Sequence, residues 1–320
     1  MRVSNQTVYN SITYNLTKVS DEMLRANAVI SSGKRINRLS DDPVGLVSVI
    51  NLRSSLEYIG QLERNINMGD SWLTMGESAL SQVGDILSET KALCVQMASD
   101  TQTQTERGNA AVLVDGYLRQ VLSLANTQVD GRYIFSGTKT DTAPYTLGTD
   151  DGGNDAVIYQ GNDTAFQVQI AKDMNVSVGR VGTDIFGSWG NDLTDDGDPL
   201  TDNWGDPDAG TNNIFKTLLD LKKHLENNEV DGIQATLDEL DDQMEGISAL
   251  ISDSGAKSLR LETKETIIQD LQLTYSERKS DLEDADMAEA IMELTAKQTA
   301  YQAALASSSK VMKLSLVNYL

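Results

Sequence analysis

Along the first thirty residues, apolar side chains recur at alternating intervals of three and four: Tyr9, Ile12, Leu16, Val19, Met23, Ala26 and Ile30. That spacing puts them on one stripe of an α-helix, at the a and d positions of a heptad. Asn5, Ser11, Asn15, Lys18, Asp21 and Arg25 occupy the other faces. The pattern predicts a helix over 3–32, closed by Gly33. One helix alone cannot cover such a stripe, so the pattern also predicts a partner helix. After a short linker, Asp42 before Pro43 reads as an N-cap followed by proline at the first helical position. The seam then resumes through Ile59, Leu62, Ile66, Leu73, Leu80, Val83, Leu87, Cys94 and Met97, with Gly69, Gly76 and Thr90 in the remaining slots. A helix to about residue 100 follows, roughly 80 Å long at 1.5 Å per residue. A third helix is expected from the polar break Ser99–Thr101 to about Asp130, with Val112, Leu118, Val121 and Leu124 on one side.

The period changes between 131 and 190. Glycine becomes frequent, and Arg132–Phe135, Ala156–Tyr159 and Phe166–Ile170 read as strands separated by turn clusters such as 150–154. An acidic, glycine-rich loop over 188–212 carries Trp189 and Trp204. Helical spacing returns near Asn213, with Val230, Ile233, Leu237, Leu240, Met244, Ile247 and Ile251 in one stripe. From about Ala256 a long helix is expected, through Leu261, Ile268, Leu271, Tyr275 and Leu282. Its stripe continues through Met287, Ile291, Leu294, Gln298, Tyr301, Leu305, Ser308, Met312 and Leu316. The two ends of the chain thus carry matching seams. The expected fold is mainly α with a small inserted β domain, its long antiparallel helices forming a coiled-coil rod. The expected domains are 1–42 with 284–320 as a terminal coiled coil, 43–130 with 213–283 as a helical rod, and 131–212 as the inserted β domain.

Composition agrees with narrow seams rather than a thick core: 5% of residues are aromatic, and only four are Phe. A net charge of -22 repels nucleic-acid phosphates and anionic lipid, so neither is an expected partner. The lone Cys94 permits no disulfide within the chain. The N-terminus has no apolar core of a signal peptide, and no stretch is long and apolar enough to span a membrane. Chemistry is not legible either. One histidine, His224, makes no triad, and the zinc, phosphate-loop and dinucleotide motifs are absent. The acidic runs Asp195–Asp198 and Asp202–Asp206 do not have the spacing of a calcium-binding helix–loop–helix. The expectation is therefore no enzyme, no cofactor and no metal.

Three stretches carry a resemblance. Ser31-Ser32-Gly33-Lys34-Arg35-Ile36-Asn37 with Asp41-Asp42-Pro43-Val44-Gly45 resembles the N-terminal signature shared by bacterial flagellins and the hook-associated protein 3 family. Asp130–Thr140 resembles the segment where that second family leaves its helices for its β domain. The C-terminal run from Asp284 to Leu320 resembles the same family's end. The resemblance implies a flagellin-like fold and a structural subunit at the hook-filament junction. It also implies four partners: hook-associated protein 1, flagellin, further copies of itself, and an export chaperone. It implies extracellular placement on the bacterial flagellum, reached by the flagellar type III route without a cleaved signal peptide. Flagellin itself is the neighbouring alternative, and a glycan- or calcium-binding module on a helical stalk is a third reading.

The seam assigns the terminal coiled coil to Leu16, Met23 and Ile30 with Ile291, Leu294, Tyr301 and Leu305. Arg35, Arg38, Asp41 and Asp42 are candidate polar contacts between subunits, their plainer role being to connect and cap helices. Helices that find partners only on assembly stay threadable as monomers, so 1–40 and 285–320 are expected to be protease-sensitive in the free chain.

Overall fold

A computed structural model describes residues 2–149, 155–187 and 213–317. In chain order the elements are α1 (Arg2–Ser32), α2 (Pro43–Met97), α3 (Gln104–Ala125), β1 (Gln128–Val129), β2 (Arg132–Tyr133), β3 (Tyr145–Thr149), β4 (Asp155–Tyr159), β5 (Gln167–Ala171) and β6 (Met174–Ser177). Then follow α4 (Thr183–Phe186), α5 (Ile214–Asn227), α6 (Val230–Glu283) and α7 (Met287–Val317). The fold is mainly α with small antiparallel sheets, as the periodicity predicts. The chain divides into two compact units, 1–60 with 269–320 and 61–268. Both α2 and α6 pass from one unit into the other. The predicted turn at 150–154 and acidic loop at 188–212, including Trp189, Trp204 and both Asp runs, lie outside the described residues, as do 318–320 and the side chains of Met312 and Leu316.

In the unit 61–268, α2 and α6 run antiparallel. The Cys94 thiol donates to the Ile233 carbonyl at 3.1 Å, and Ser258 Oγ donates to Asp70 Oδ1 at 2.8 Å. The heptad seam of α2 is buried: Ile66, Leu73, Leu80, Val83, Leu87 and Cys94 all face inward. Fully burying each of these aliphatic side chains contributes about 1.5–3 kcal/mol. Gly69 lets the hairpin β5–β6 approach, since a Cβ there would stand 3.1 Å from both Val168 Cγ2 and Val178 Cγ1. Trp72 stacks on Phe166 at 4.9 Å between centroids, holding the same hairpin.

Three expectations about the helices are corrected. First, α3 ends at Ala125, five residues before Asp130, because Gln128–Val129 pairs with Arg132–Tyr133. Its buried face is Arg107, Ala110, Ala111, Val114, Leu118, Val121 and Ala125, while Val112 is 74% exposed. Its start is set by a capping box, with Thr103 and Glu106 satisfying each other's backbone amides. Second, α6 does not begin near Ala256. It runs unbroken for 54 residues from Val230, and Gly255 sits in open space and interrupts nothing. Third, the stripe running past Leu282 belongs to two helices, because Asp284–Asp286 ends α6 and Asp286 caps α7 through Ala288 N–H at 2.8 Å.

The inserted region is three separate two-stranded antiparallel sheets, β1–β2, β3–β4 and β5–β6. Ile134 and Phe135 leave the strand and enter a core instead. Three of the four Phe residues meet there. Phe186 packs edge-on against Phe135 at 5.3 Å and Tyr145 at 5.6 Å, and lies 5.7 Å from Phe215 of α5. Tyr145 and Tyr159 complete the cluster at 5.1 Å. Burial drives the Tyr159 phenol up to about 12, so it stays a hydrogen-bond donor, to the Phe135 and Asn162 carbonyls. The chain concentrates its few aromatics at one place, where the hairpin β3–β4 docks on α5.

Arg107 is a buried cation that the seam gives no hint of. Its Nε donates to the Met97 carbonyl at 2.9 Å, its Nη2 to the Ser99 carbonyl at 2.9 Å, and its Nη1 to Asn228 Oδ1. It thereby satisfies the orphan carbonyls at the end of α2 and ties them to Asn228, the left-handed residue that ends α5. Arg107→Met removes all three bonds while keeping the apolar stem. The expected loss is about 3 kcal/mol of unit stability, each bond from a charged donor being worth ~1.5–3 kcal/mol before relaxation. Urea unfolding followed by circular dichroism measures it.

Candidate assembly interface

Unit 1–60 with 269–320 holds the terminal helices. α1 and α7 pack antiparallel. The Lys34–Asp284 backbone bridge sets one end of the register, and the Lys297–Glu22 ion pair at 2.8 Å sets it further along. The facing positions on α7 are Ala290, Leu294, Lys297, Tyr301, Ala304 and Ser308, spaced by four and three. On α1 they are Ile12, Leu16, Val19, Met23, Ala26 and Ile30. Of these only Ala26, Ala290 and Ser308 are fully buried; the larger ones are half-buried. Two helices cover about half of a seam, and the rest of it faces outward.

The structure places the seven seam candidates as follows. Leu16, Met23, Ile30, Leu294 and Tyr301 lie half-buried between α1 and α7. Ile291 and Leu305 lie one position to the side of the facing row and are 50% and 44% exposed. A 3,4-spaced stripe has two flanks. The close approach of the helices turns the small residues Ala290 and Ala304 inward and the bulky neighbours outward. Met287, Met292, Tyr9, Tyr14 and Leu24 are also exposed.

At the base of the pair is a clasp. Gly33, at φ +69°, turns the chain out of α1. The next residues add a rung against the α6–α7 link. Arg35 N–H donates to the Glu283 carbonyl at 2.7 Å, and Ala285 N–H donates to the Gly33 carbonyl at 3.0 Å. Glu283 is almost fully buried and takes Lys34 Nζ at 2.5 Å and Arg53 Nη2 on the same oxygen. Arg35 Nη2 donates to the Leu282 carbonyl at 2.7 Å. Asp41 accepts the Asn37 and Arg38 amides, and Asp42 caps α2 through Gly45 N–H at 2.8 Å. A Cβ at position 45 would stand 2.8 Å from Ile36 Cδ1 and overlap the Asp42 carboxylate. Arg35, Asp41 and Asp42 are thus engaged within the chain. The Arg38 guanidinium is exposed and makes no bond inside it among the described residues.

Glu283, Lys34, Arg53, Glu22 and Lys297 carry no seam signal, because they pair across distances of more than two hundred residues. Burial raises the Glu283 carboxyl, but Lys34 and Arg53 lower it further than burial lifts it, and it ends below the usual glutamate range. Its charged form is therefore favoured by folding. That contribution is full above the unfolded value near 4.3 and is lost as pH falls through the depressed folded value. The expected result is that amides 35 and 285 lose hydrogen-exchange protection below about pH 4. Glu283→Gln should remove most of that pH dependence, leaving a smaller part from Glu22, which Lys297 also lowers.

Among the described residues no catalytic constellation lies in this unit. His224 lies elsewhere and pairs with Glu229 at 2.7 Å. Among the described residues no helix is long and apolar enough to cross a membrane. The terminal helices thus form an antiparallel pair, clasped at its base, with apolar residues such as Ile291 and Leu305 left exposed on one flank.

Residues 3–140 match the bacterial flagellin N-terminal helical region and 237–320 the bacterial flagellin C-terminal helical region. The chain belongs to the bacterial flagellin superfamily. Within that superfamily its full-length likeness is to flagellar hook-associated protein 3 of Escherichia coli, at 27% identity over 99% of this chain and 98% of that protein. A flagellin of Clostridium tyrobutyricum is 28% identical over only 43% of this chain and 37% of its own length. The flagellar junction protein FlgL from Legionella pneumophila has the same fold, with a TM-score of 0.54 at 19% identity, over 75% of this chain and all of that one. The two flagellin regions bracket the hairpins β3–β4 and β5–β6, so the residues matched to the superfamily include the helices that build the clasp and the seam.

Proposed function

We propose that this chain is a structural subunit joining the flagellar hook to the filament, acting by helical self-assembly and as a platform on which flagellin polymerises. The observation that carries the reading is the end-to-end likeness to hook-associated protein 3, set against a likeness to a flagellin that covers 43% of this chain and 37% of that protein. The half-covered seam supports it physically. Apolar positions such as Ile291 and Leu305 gain cover when neighbouring copies pack against them, at about 25 cal/mol per Å² before ordering costs. Contacts that repeat head to tail without closing build a tube.

In this reading 1–42 with 284–320 forms the terminal coiled coil, 43–130 with 213–283 the helical rod, and 131–212 the outward β domain. Arg38 meets a carboxylate of a neighbouring copy, since its guanidinium is exposed and nothing among the described residues holds it. Hook-associated protein 1 lies on the hook side and flagellin on the filament side. The chain leaves the cell through the flagellar type III channel with an export chaperone.

Deleting the gene and imaging the flagella tests this. The expected result is a hook that persists without a filament while flagellin monomers are shed into the medium. Filaments growing normally from the hooks would overturn the reading. Purified protein polymerising alone into long filaments would instead favour flagellin.

A further inference from the structure

In unit 61–268 a small cavity lies between α2, α6 and the chain leaving β6, with room of ≈ 10 Å³, about the size of one water. Its walls are mostly apolar, including Ile134 and Val178, with Gly76 of α2 contributing no side chain. Two polar nitrogens among its lining residues are fully buried and have no acceptor among the described residues: Trp72 Nε1 and Arg180 Nε. Trp72 is only 2% exposed and is held by its stack on Phe166. The Arg180 guanidinium is anchored through Nη2, which donates to the Leu250 carbonyl at 2.8 Å, Asp253 Oδ2 at 2.6 Å and Ser254 Oγ at 3.2 Å. Neither donor can turn away to another partner.

A buried donor left without an acceptor costs about 1–3 kcal/mol, and two on one cavity are rarely tolerated. Both are donors, so whatever satisfies them must accept. Ser254 also lines the cavity; its hydroxyl donates to the Leu250 carbonyl at 3.0 Å and accepts from Arg180 Nη2 at 3.2 Å, which leaves its oxygen one further lone pair to offer. We propose that this cavity is a binding site for a single internal water, which accepts from Trp72 Nε1 and Arg180 Nε and donates to Ser254 Oγ. Three partners are what such waters typically have. The water joins the β5–β6 hairpin to both long helices, where direct side-chain contact does not close the gap. An anion is the competing occupant. Asp253 argues against it, because this carboxylate is already paired with Arg180 at 2.6 Å.

Two measurements on the full chain test the site. The first is a crystal structure grown in bromide salt. An oxygen-sized peak within hydrogen-bond reach of both nitrogens, without anomalous signal, is the expected result. Anomalous bromide density there, or no peak, would overturn it. The second compares alanine at two glycines of α2. A Cβ at 76 meets nothing nearer than Ile134 Cδ1 at 4.0 Å, and one at 84 meets Ile247 Cγ2 at an ordinary 3.7 Å. Helix propensity favours alanine at both. Gly84→Ala should raise the unfolding midpoint, whereas Gly76→Ala, whose methyl takes the water's space, should lower it. Equal rises in both variants would mean a dry cavity and would sink the proposal.

Discussion

Phe186→Ala should lower the thermal midpoint of the unit spanning 61–268 by roughly 6–20 °C, at ~2–4 °C per kcal/mol for a unit of this size. Phe186 is fully buried in the short helix α4 and touches three other rings, Phe135, Tyr145 and Phe215. Truncating a buried Phe to Ala costs about 3–5 kcal/mol, part transfer and part cavity. Collapse cannot fill the hole cheaply, because the neighbouring rings are held from different elements. Tyr145 is tied through its hydroxyl to the Gly187 carbonyl at 3.0 Å and through its backbone to Asn126. Phe215 is anchored on α5, which is also bonded to α3 and β4 by Lys222, whose ammonium bridges Asp115 at 2.9 Å and Asp155 at 3.0 Å. Val112→Ala is the control: that side chain is 74% exposed, and the change should stay within about 0.5 kcal/mol. Calorimetry of the two variants decides. A small shift for Phe186→Ala would mean that the hairpins are an appendage with little energetic tie to the helices.

What the sequence discloses follows from range. A heptad is a local signal, so α1, the seam of α2 and the proline-led start of α2 are legible residue by residue. The cap at Asp42 and the break at Gly33 are local too, and both stand where the spacing puts them. The choice between flanks of a stripe is different. Spacing alone cannot separate Ile291 from Ala290, or Leu305 from Ala304, because each pair fits the same 3,4 rhythm. The partner helix decides, and it draws the smaller member inward. Strands β3 and β6 are missed because Gly148 and a short polar run give no clean alternation; their pairing with β4 and β5 makes them strands. The clasp is least legible. Glu283 reads as one more acid in an acidic chain until folding sets it against Lys34 and Arg53, which lie on the other side of the entire inserted region. Arg107 is hidden in a similar way, since its acceptors lie on two segments, the end of α2 and the distant Asn228.

Leu294→Asp should abolish restoration of filaments in a deletion strain while leaving the 61–268 unit with its normal unfolding transition. Leu294 sits half-buried on α7 in the row facing α1, between Ala290 and Lys297. A carboxylate there must be desolvated against the apolar stripe of Leu16, Met23 and Ile30. We expect a cost of about 3 kcal/mol, a large part of what a single pair of helices can supply. The pair should therefore open, and trypsin should cut at Lys18 and Arg25 faster than in the parent chain. Leu305→Asp separates the two jobs of the stripe. Leu305 is on the outward flank, so the charge stays in water in the single chain, and the α1–α7 pair with its Glu22–Lys297 bridge should survive intact. If neighbouring copies cover that flank, Leu305→Asp should still block assembly, now without any change in trypsin sensitivity. Assembly that tolerates Leu305→Asp but not Leu294→Asp would mean that the terminal pair is needed only as a folded unit, and that copies meet through some other face.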